Sequence, residues 1–129
     1  MALIVIDASV VIALLDPADA LHPAARRALE RVAEADLAIP ASALAETLVA
    51  PARAGRLEEA RRSIRALELR VADTGEEVAV EAARLRAGHR SLRLPDALVL
   101  ATAAVLGADV VLTGDASWGA LSPQVRVID

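Results

Sequence analysis

The chain of 129 residues contains no cysteine, no lysine, no phenylalanine and no tyrosine. Without cysteine there is no disulfide, no zinc ribbon and no thiol nucleophile. All 14 basic residues are therefore arginine, which excludes chemistry that needs an ammonium group: a P-loop lysine, a Schiff base, or the lysine of a response-regulator receiver. Lacking Phe and Tyr, the chain cannot build an RNA-recognition sheet that stacks bases on paired aromatics. Long apolar runs are missing too: Ala97 to Ala108 falls short of the roughly 18 to 20 residues needed to cross a bilayer. A secretory signal is not expected, because the first arginine is Arg26 and Asp7 interrupts the early apolar run. The expectation is a cytoplasmic protein with no membrane segment.

What remains is 56% hydrophobic, enough for one compact domain over residues 1–129 with a single core. The net charge of -4 is unevenly spread. From Arg53 to Arg93 ten arginines face seven acids, whereas the rest holds four arginines and eleven acids. The middle of the chain could meet a phosphate backbone while the ends carry acid chemistry, although a solvated face of charged helices explains the same run.

Short apolar segments alternate with helical patterns. Ala2 to Ile6, Leu37 to Pro40, Leu69 to Ala72, Val110 to Thr113 and Val125 to Ile128 read as strands. Helices are predicted over Ser9 to Leu15, His22 to about Ala35, Ser42 (as N-cap) to about Ala50 with Pro51 as the stop, Leu57 to Leu67, Gly75 to Ala87, and Pro95 to Leu106 with Gly107 as the stop. A helical turn is expected over Ser117 to Leu121. The fold class is α/β: a three-layer α/β/α sandwich with a parallel sheet of four to five strands.

Four acids stand alone in apolar surroundings. Asp7 is the only charge before Asp16, Glu46 the only one between Asp36 and Arg53, Asp96 the only one between Arg93 and Asp109, and Asp115 the only one between Asp109 and Arg126. Asp7 and Asp115 follow strands, Glu46 lies one turn into a helix that follows a strand, and Asp96 opens the apolar helix before the fourth strand. In an open parallel sheet the carboxyl ends of strands and the helix starts behind them border one crevice. Carboxylates gathered there repel and protonate unless a cation neutralises them, and Mg²⁺ or Mn²⁺ favours such oxygen ligands. Each acid has a structural role open to it as well: Asp7 as a helix cap, Asp96 beside the helix dipole, Asp115 as a turn residue, Glu46 as a surface charge.

The segments IVIDASVVIALL, IPASALAETL, LPDALVLATAAVLGADVVLTGD and VRVID, in this order over nearly the whole chain, resemble the PIN-domain ribonucleases, specifically VapC-type toxins of type II toxin-antitoxin pairs. The resemblance implies a metal-dependent endoribonuclease whose acidic quartet is Asp7, Glu46, Asp96 and Asp115, with Ser9 and Thr113 orienting a carboxylate or a water bound to Mg²⁺ or Mn²⁺. It implies a 3'-hydroxyl leaving group and a 5'-phosphate product. It further implies an RNA substrate, a VapB-type antitoxin that lays a peptide across the crevice with a basic side chain among the acids, and a homodimer that can enter a larger toxin-antitoxin assembly. After the last acid many relatives carry a further acid and then an aromatic, and here those places hold Ser117 and Trp118; with serine in place of the acid a second metal would bind weakly, and Trp118 is expected in the core or a lid. His22 reads as a helix-start residue. His89, Arg90 and Arg93, just upstream of Asp96, are candidate RNA contacts.

Two other readings compete. A catalytically inactive PIN-like binding module would keep the fold without the reaction. A phosphoacceptor signalling domain would need paired acids after the first strand and a lysine later, and the chain has neither.

Overall fold

In the run Leu-Ile-Val-Ile, the side chains of Ile4, Val5 and Ile6 are all buried, as a strand covered on both faces requires. In the computed structural model, which describes residues 2–129, this run is β1 (Leu3–Ile6), followed by α1 (Ala8–Leu15) and α2 (His22–Arg31). Then come β2 (Asp36–Pro40), α3 (Ala41–Arg53), α4 (Leu57–Ala66), β3 (Arg70–Ala72), α5 (Glu76–Gly88), α6 (Leu94–Leu106) and β4 (Val110–Thr113). A 3₁₀ turn over Ala116–Ala120 leads to β5 (Val125–Val127).

The five strands form one sheet in the order β3-β2-β1-β4-β5, and every neighbouring pair is parallel. Right-handed crossovers place the helices of the outward path from β1 to β3 on one face and those of the return to β4 on the other. The packing agrees. The helices α1 to α4 contact one another as one layer, while α5 pairs with α6, and α6 lies on β1, β2 and β4. The α/β class with a parallel sheet, expected from the alternation of segments, is the observed one.

The core runs through β1, α1, β2, α6 and β4 and ends on Trp118, the largest fully buried side chain. Thr47 and Thr102 join it because their hydroxyls donate to the carbonyls of Ala43 (2.8 Å) and Leu98 (2.7 Å), four residues back, which satisfies the polar group inside the helix. Gly107 ends α6 at φ 66°, with the amide of Ala108 donating to the carbonyl of Ala103 at 2.9 Å; this is the left-handed stop that glycine makes cheaply.

Three boundaries differ from those expected by more than one residue. Helix α2 ends at Arg31 because the chain turns through Val32–Ala35 to reach β2, where the amide of Asp36 donates to the carbonyl of Ala2 at 2.9 Å. Ser42 is inside the first turn of α3, whose N-cap is Pro40. Pro51 does not stop α3, which continues to Arg53: so near the helix end, the missing N–H forfeits one bond, and the carbonyl of Pro51 still accepts from the amide of Arg56 at 2.8 Å. Helix α6 is buried along one side and exposes Leu94 and Val105 on the other. No helix among the described residues is long and apolar enough to cross a membrane.

Candidate active site

Adjacent strands β1 and β4 end together: the amide of Asp7 donates to the carbonyl of Leu112 at 2.9 Å. Asp7 stands at the N-cap position of α1 with its side chain making no cap hydrogen bond. Its carboxylate is instead held by two hydroxyls. Ser9 Oγ donates to Oδ2 at 2.8 Å and Thr113 Oγ1 donates to the same oxygen at 3.0 Å. Backbone amides fix both hydroxyls in turn, Gly114 N–H donating to Ser9 Oγ at 2.8 Å and Asp115 N–H to Thr113 Oγ1 at 3.1 Å. The carboxylate is only 8% exposed, so its orientation is set while Oδ1 accepts no hydrogen bond from the described residues.

Gly114 makes this arrangement sterically feasible. A Cβ there would sit 2.7 Å from Leu21 Cδ1 and 3.2 Å from Ser9 Oγ, so any side chain would push on the hydroxyl that holds Asp7. Beyond it, Asp115 caps the 3₁₀ turn: Ser117 donates to Asp115 Oδ1 from its amide (2.9 Å) and its hydroxyl (2.6 Å). These two bonds lower the pKa of Asp115 below its ordinary value, with smaller help from Arg93 and Trp118. Ser117, standing where a further acid was expected from the resemblance, thus serves the acid already present. Trp118 is in the core.

Helix α3 starts directly from the end of β2, so Glu46 reaches the carboxyl edge of the sheet one turn and a half into the helix. Helix α6 hands over to β4 at the opposite edge, which leaves its first turn, with Asp96, at the carboxyl edge. Desolvation raises the pKa of Glu46, and the charges of Asp7 and Asp96 raise it further. Asp96 is also raised, first by burial and then by Asp7 and Asp115, against the lowering effect of Arg93. All four isolated acids therefore share one electrostatic field.

Arg93 Nε approaches Asp96 Oδ2 at 3.4 Å, which places this residue among the acids. His89 and Arg90 are exposed in the turn before α6, and no described contact carries their side chains to the carboxylates. His22 opens α2, and its Nδ1 lies 2.7 Å from the carbonyl of Ala13, a link between α1 and α2.

Sequence reasoning passed over Gly114, Arg93 as a partner of Asp96, and the environment of Ser42. The i,i+3 spacing of Arg93 and Asp96 across a helix start was a usable signal, whereas the close approach at Gly114 is a tertiary fact. The hydroxyl of Ser42 is the one buried side-chain polar atom among the described residues without a hydrogen-bond partner.

The donor set is entirely carboxylate oxygen and its negative charge is opposed by a single arginine, which fits a hard divalent cation. Among the described residues no three His, Asp or Glu side chains already form a metal-sized cluster, so closure of the carboxylates around an ion is not part of this structure.

Four electrostatically coupled acids on a parallel α/β sheet, two of them just after the ends of β1 and β4, define the class of the site. A profile of the PIN domain family matches residues 4–122, and the chain belongs to that family. Among solved structures it is similar to a toxin-antitoxin complex from Klebsiella pneumoniae, at 25% identity over 98% of this chain and 97% of that one with a TM-score of 0.77. It is also similar to VapC20 of Mycobacterium tuberculosis, described as a Sarcin-Ricin loop cleaving toxin (21% identity, 98% and 99% covered, TM-score 0.80). VapBC2 from Rickettsia felis bound to a promoter DNA fragment shares the fold at 15% identity, 98% and 99% coverage and a TM-score of 0.79. No curated protein sequence matches.

Proposed function

We propose that the chain is a metal-dependent endoribonuclease, the toxin of a type II toxin-antitoxin pair acting in the cytoplasm, with Asp7, Glu46, Asp96 and Asp115 as ligands of Mg²⁺ or Mn²⁺. The observation that carries this reading is the clamp on Asp7: two hydroxyls hold one oxygen and leave the other without a hydrogen bond from the described residues. The chemistry such an ion supplies when bound is Lewis-acid polarisation of a phosphoryl oxygen and of the attacking water. Ser9 and Thr113 keep Asp7 oriented, hydrogen bonds from Ser117 favour the charged form of Asp115, and burial together with the neighbouring acids raises the pKa values of Glu46 and Asp96.

An RNA substrate is supported by the family and by the description of one structural neighbour as a Sarcin-Ricin loop cleaving toxin. A VapB-type antitoxin partner is supported by neighbours that are toxin-antitoxin complexes. A groove of about 630 Å³ between α1, α3 and α4 begins at Glu46 and continues over Ile12, Leu15, Ala50 and Ala60; its apolar floor suits a peptide of that partner. We propose a homodimer on the same family basis.

A catalytically inactive PIN-like binding module is the alternative reading. One experiment separates the two. Purified chain is incubated with total RNA and Mn²⁺ beside Asp7→Asn and Asp96→Asn variants, with cleavage ends mapped. The nuclease reading expects cuts with 5'-phosphate ends that EDTA and both variants abolish. Cleavage that survives EDTA, or no cleavage by the unmodified chain, would overturn it.

A further inference from the structure

Arg93 occupies the N-cap position of α6 in extended conformation (φ -75°, ψ 154°), three residues before Asp96. Its guanidinium is 3.4 Å from the carboxylate, and the arginine side chain is 73% exposed while that of Asp96 is 16% exposed. The other ion pairs among the described residues join neighbours along α4 and α5, away from the acids. Arg93 alone pairs with one of them. Its charge also works against the upward shift of Glu46 and adds to the downward shift of Asp115, and no other basic residue acts on any of the three. A single, long, solvent-exposed contact is weak and readily exchanged. That combination describes a mobile positive charge lying over a negative site.

We propose that Arg93 is a built-in counter-ion of the acidic crevice, competing with the divalent cation for the carboxylates and so setting how much metal the protein needs. The proposal rests on reading the four acids as a metal site. While no cation is bound, Arg93 offsets part of the repulsion among Asp7, Glu46, Asp96 and Asp115. When a cation enters, the two positive charges repel, and the guanidinium has solvent to retreat into. Removing it strengthens cation binding and leaves the metal-free acids less compensated.

The test is Mn²⁺ titration of the full chain, read by the electron paramagnetic resonance of free Mn²⁺, for the unmodified protein, Arg93→Gln, Arg93→Lys and Asp7→Asn. Arg93→Gln should bind Mn²⁺ about three- to tenfold more tightly at low ionic strength, and the difference should shrink in roughly 0.5 M salt. Arg93→Lys should stay near the unmodified value, since it keeps the charge. Thermal melts supply a second readout: Arg93→Gln should melt lower without metal and gain more on adding Mn²⁺. If Asp7→Asn weakens binding while Arg93→Gln matches or weakens it, or if the lysine variant behaves like the glutamine one, the counter-ion role is wrong and the metal site stands. If Asp7→Asn binds Mn²⁺ as well as the unmodified chain, the metal reading fails and takes this proposal with it.

Discussion

Thr113 and Asp7 are 106 positions apart in the chain, and a 3.0 Å hydrogen bond from the threonine hydroxyl fixes the aspartate carboxylate. The same hydroxyl accepts from the amide of Asp115, so one fully buried side chain ties the ends of β1 and β4 to both terminal acids of the site. Replacing it by valine keeps the shape, leaves the amide of Asp115 without its partner and leaves Asp7 Oδ2 with Ser9 alone. Thr113→Val should lose about 1 to 3 kcal/mol in urea denaturation and at least tenfold in RNA cleavage; Thr113→Ser should recover most of both.

Gly114 tests the same clamp from the steric side. A methyl group there meets the end of Leu21, which can move, and Ser9, which cannot without releasing Asp7. Gly114→Ala is expected to destabilise by about 1 to 3 kcal/mol, with cleavage reduced more than that loss of folded protein explains. Adding Gly114→Ala to Ser9→Ala should cost less activity than adding it to the unmodified chain, because the hydroxyl is gone while Leu21 Cδ1 and the Ser9 Cβ at 3.3 Å still crowd the new methyl group.

Acidity acts in opposite directions on the metal-free and metal-bound protein. Glu46 and Asp96 have folded pKa values raised above 4.5 and 3.8, so the folded chain binds these protons more tightly than the unfolded chain. Their contribution to stability is fully present below the ordinary values and lost as pH rises through the raised ones. Asp115, lowered from 3.8, contributes above that value and loses its contribution as pH falls through the folded one. In EDTA the melting temperature should therefore rise as acidification passes down through the raised values of Glu46 and Asp96, and turn down once Asp115 protonates below 3.8. With Mn²⁺ present, the same acidification should lower both melting temperature and cleavage rate, because protons displace the cation.

Glu46→Gln separates the cost of the site from its use. The glutamate is the most exposed member of the quartet and is opposed by Asp7 and Asp96. Its neutral replacement should melt no lower than the unmodified chain in EDTA, yet lose the gain on adding Mn²⁺ and most of the cleavage. Differential scanning calorimetry beside the cleavage assay checks both.

Trp118 is 1% exposed, which removes it from base stacking in this conformation. Trp118→Ala should cost about 3 to 5 kcal/mol, whereas Trp118→Leu should be milder and leave the RNA cleavage pattern unchanged, as mapped ends would reveal.

The strands and most helices were legible because each apolar run is short, bounded and of one period, and the acids because each is isolated within such a run. Their places relative to β2 and β4 put Glu46 at the carboxyl edge, and Asp96 there on the condition that α6 presents its N-terminus to it; the quartet itself came from the resemblance. The clamp was legible only in outline: Ser9 two residues after Asp7 suggests a contact, but the amides of Gly114 and Asp115 that hold the hydroxyls depend on the pairing of β1 with β4. Pro51 misled because its helix-breaking effect was read without its position near the helix end. Ser42 misled because a hydroxyl at a helix start ordinarily caps, and here Pro40 already holds that place.

The sheet order puts β1 at the centre, between β2 and β4. Its partner β4 arrives only after six helices and two strands have been threaded, so closing that pair carries the entropy of a very long loop. Asp7 cannot acquire its threonine, and Asp115 cannot stand beside it, in any molecule where this closure has not occurred. Partly folded chains, and chains whose fourth strand has been pulled away, are thereby inert, and the destructive activity proposed here is confined to the fully folded population.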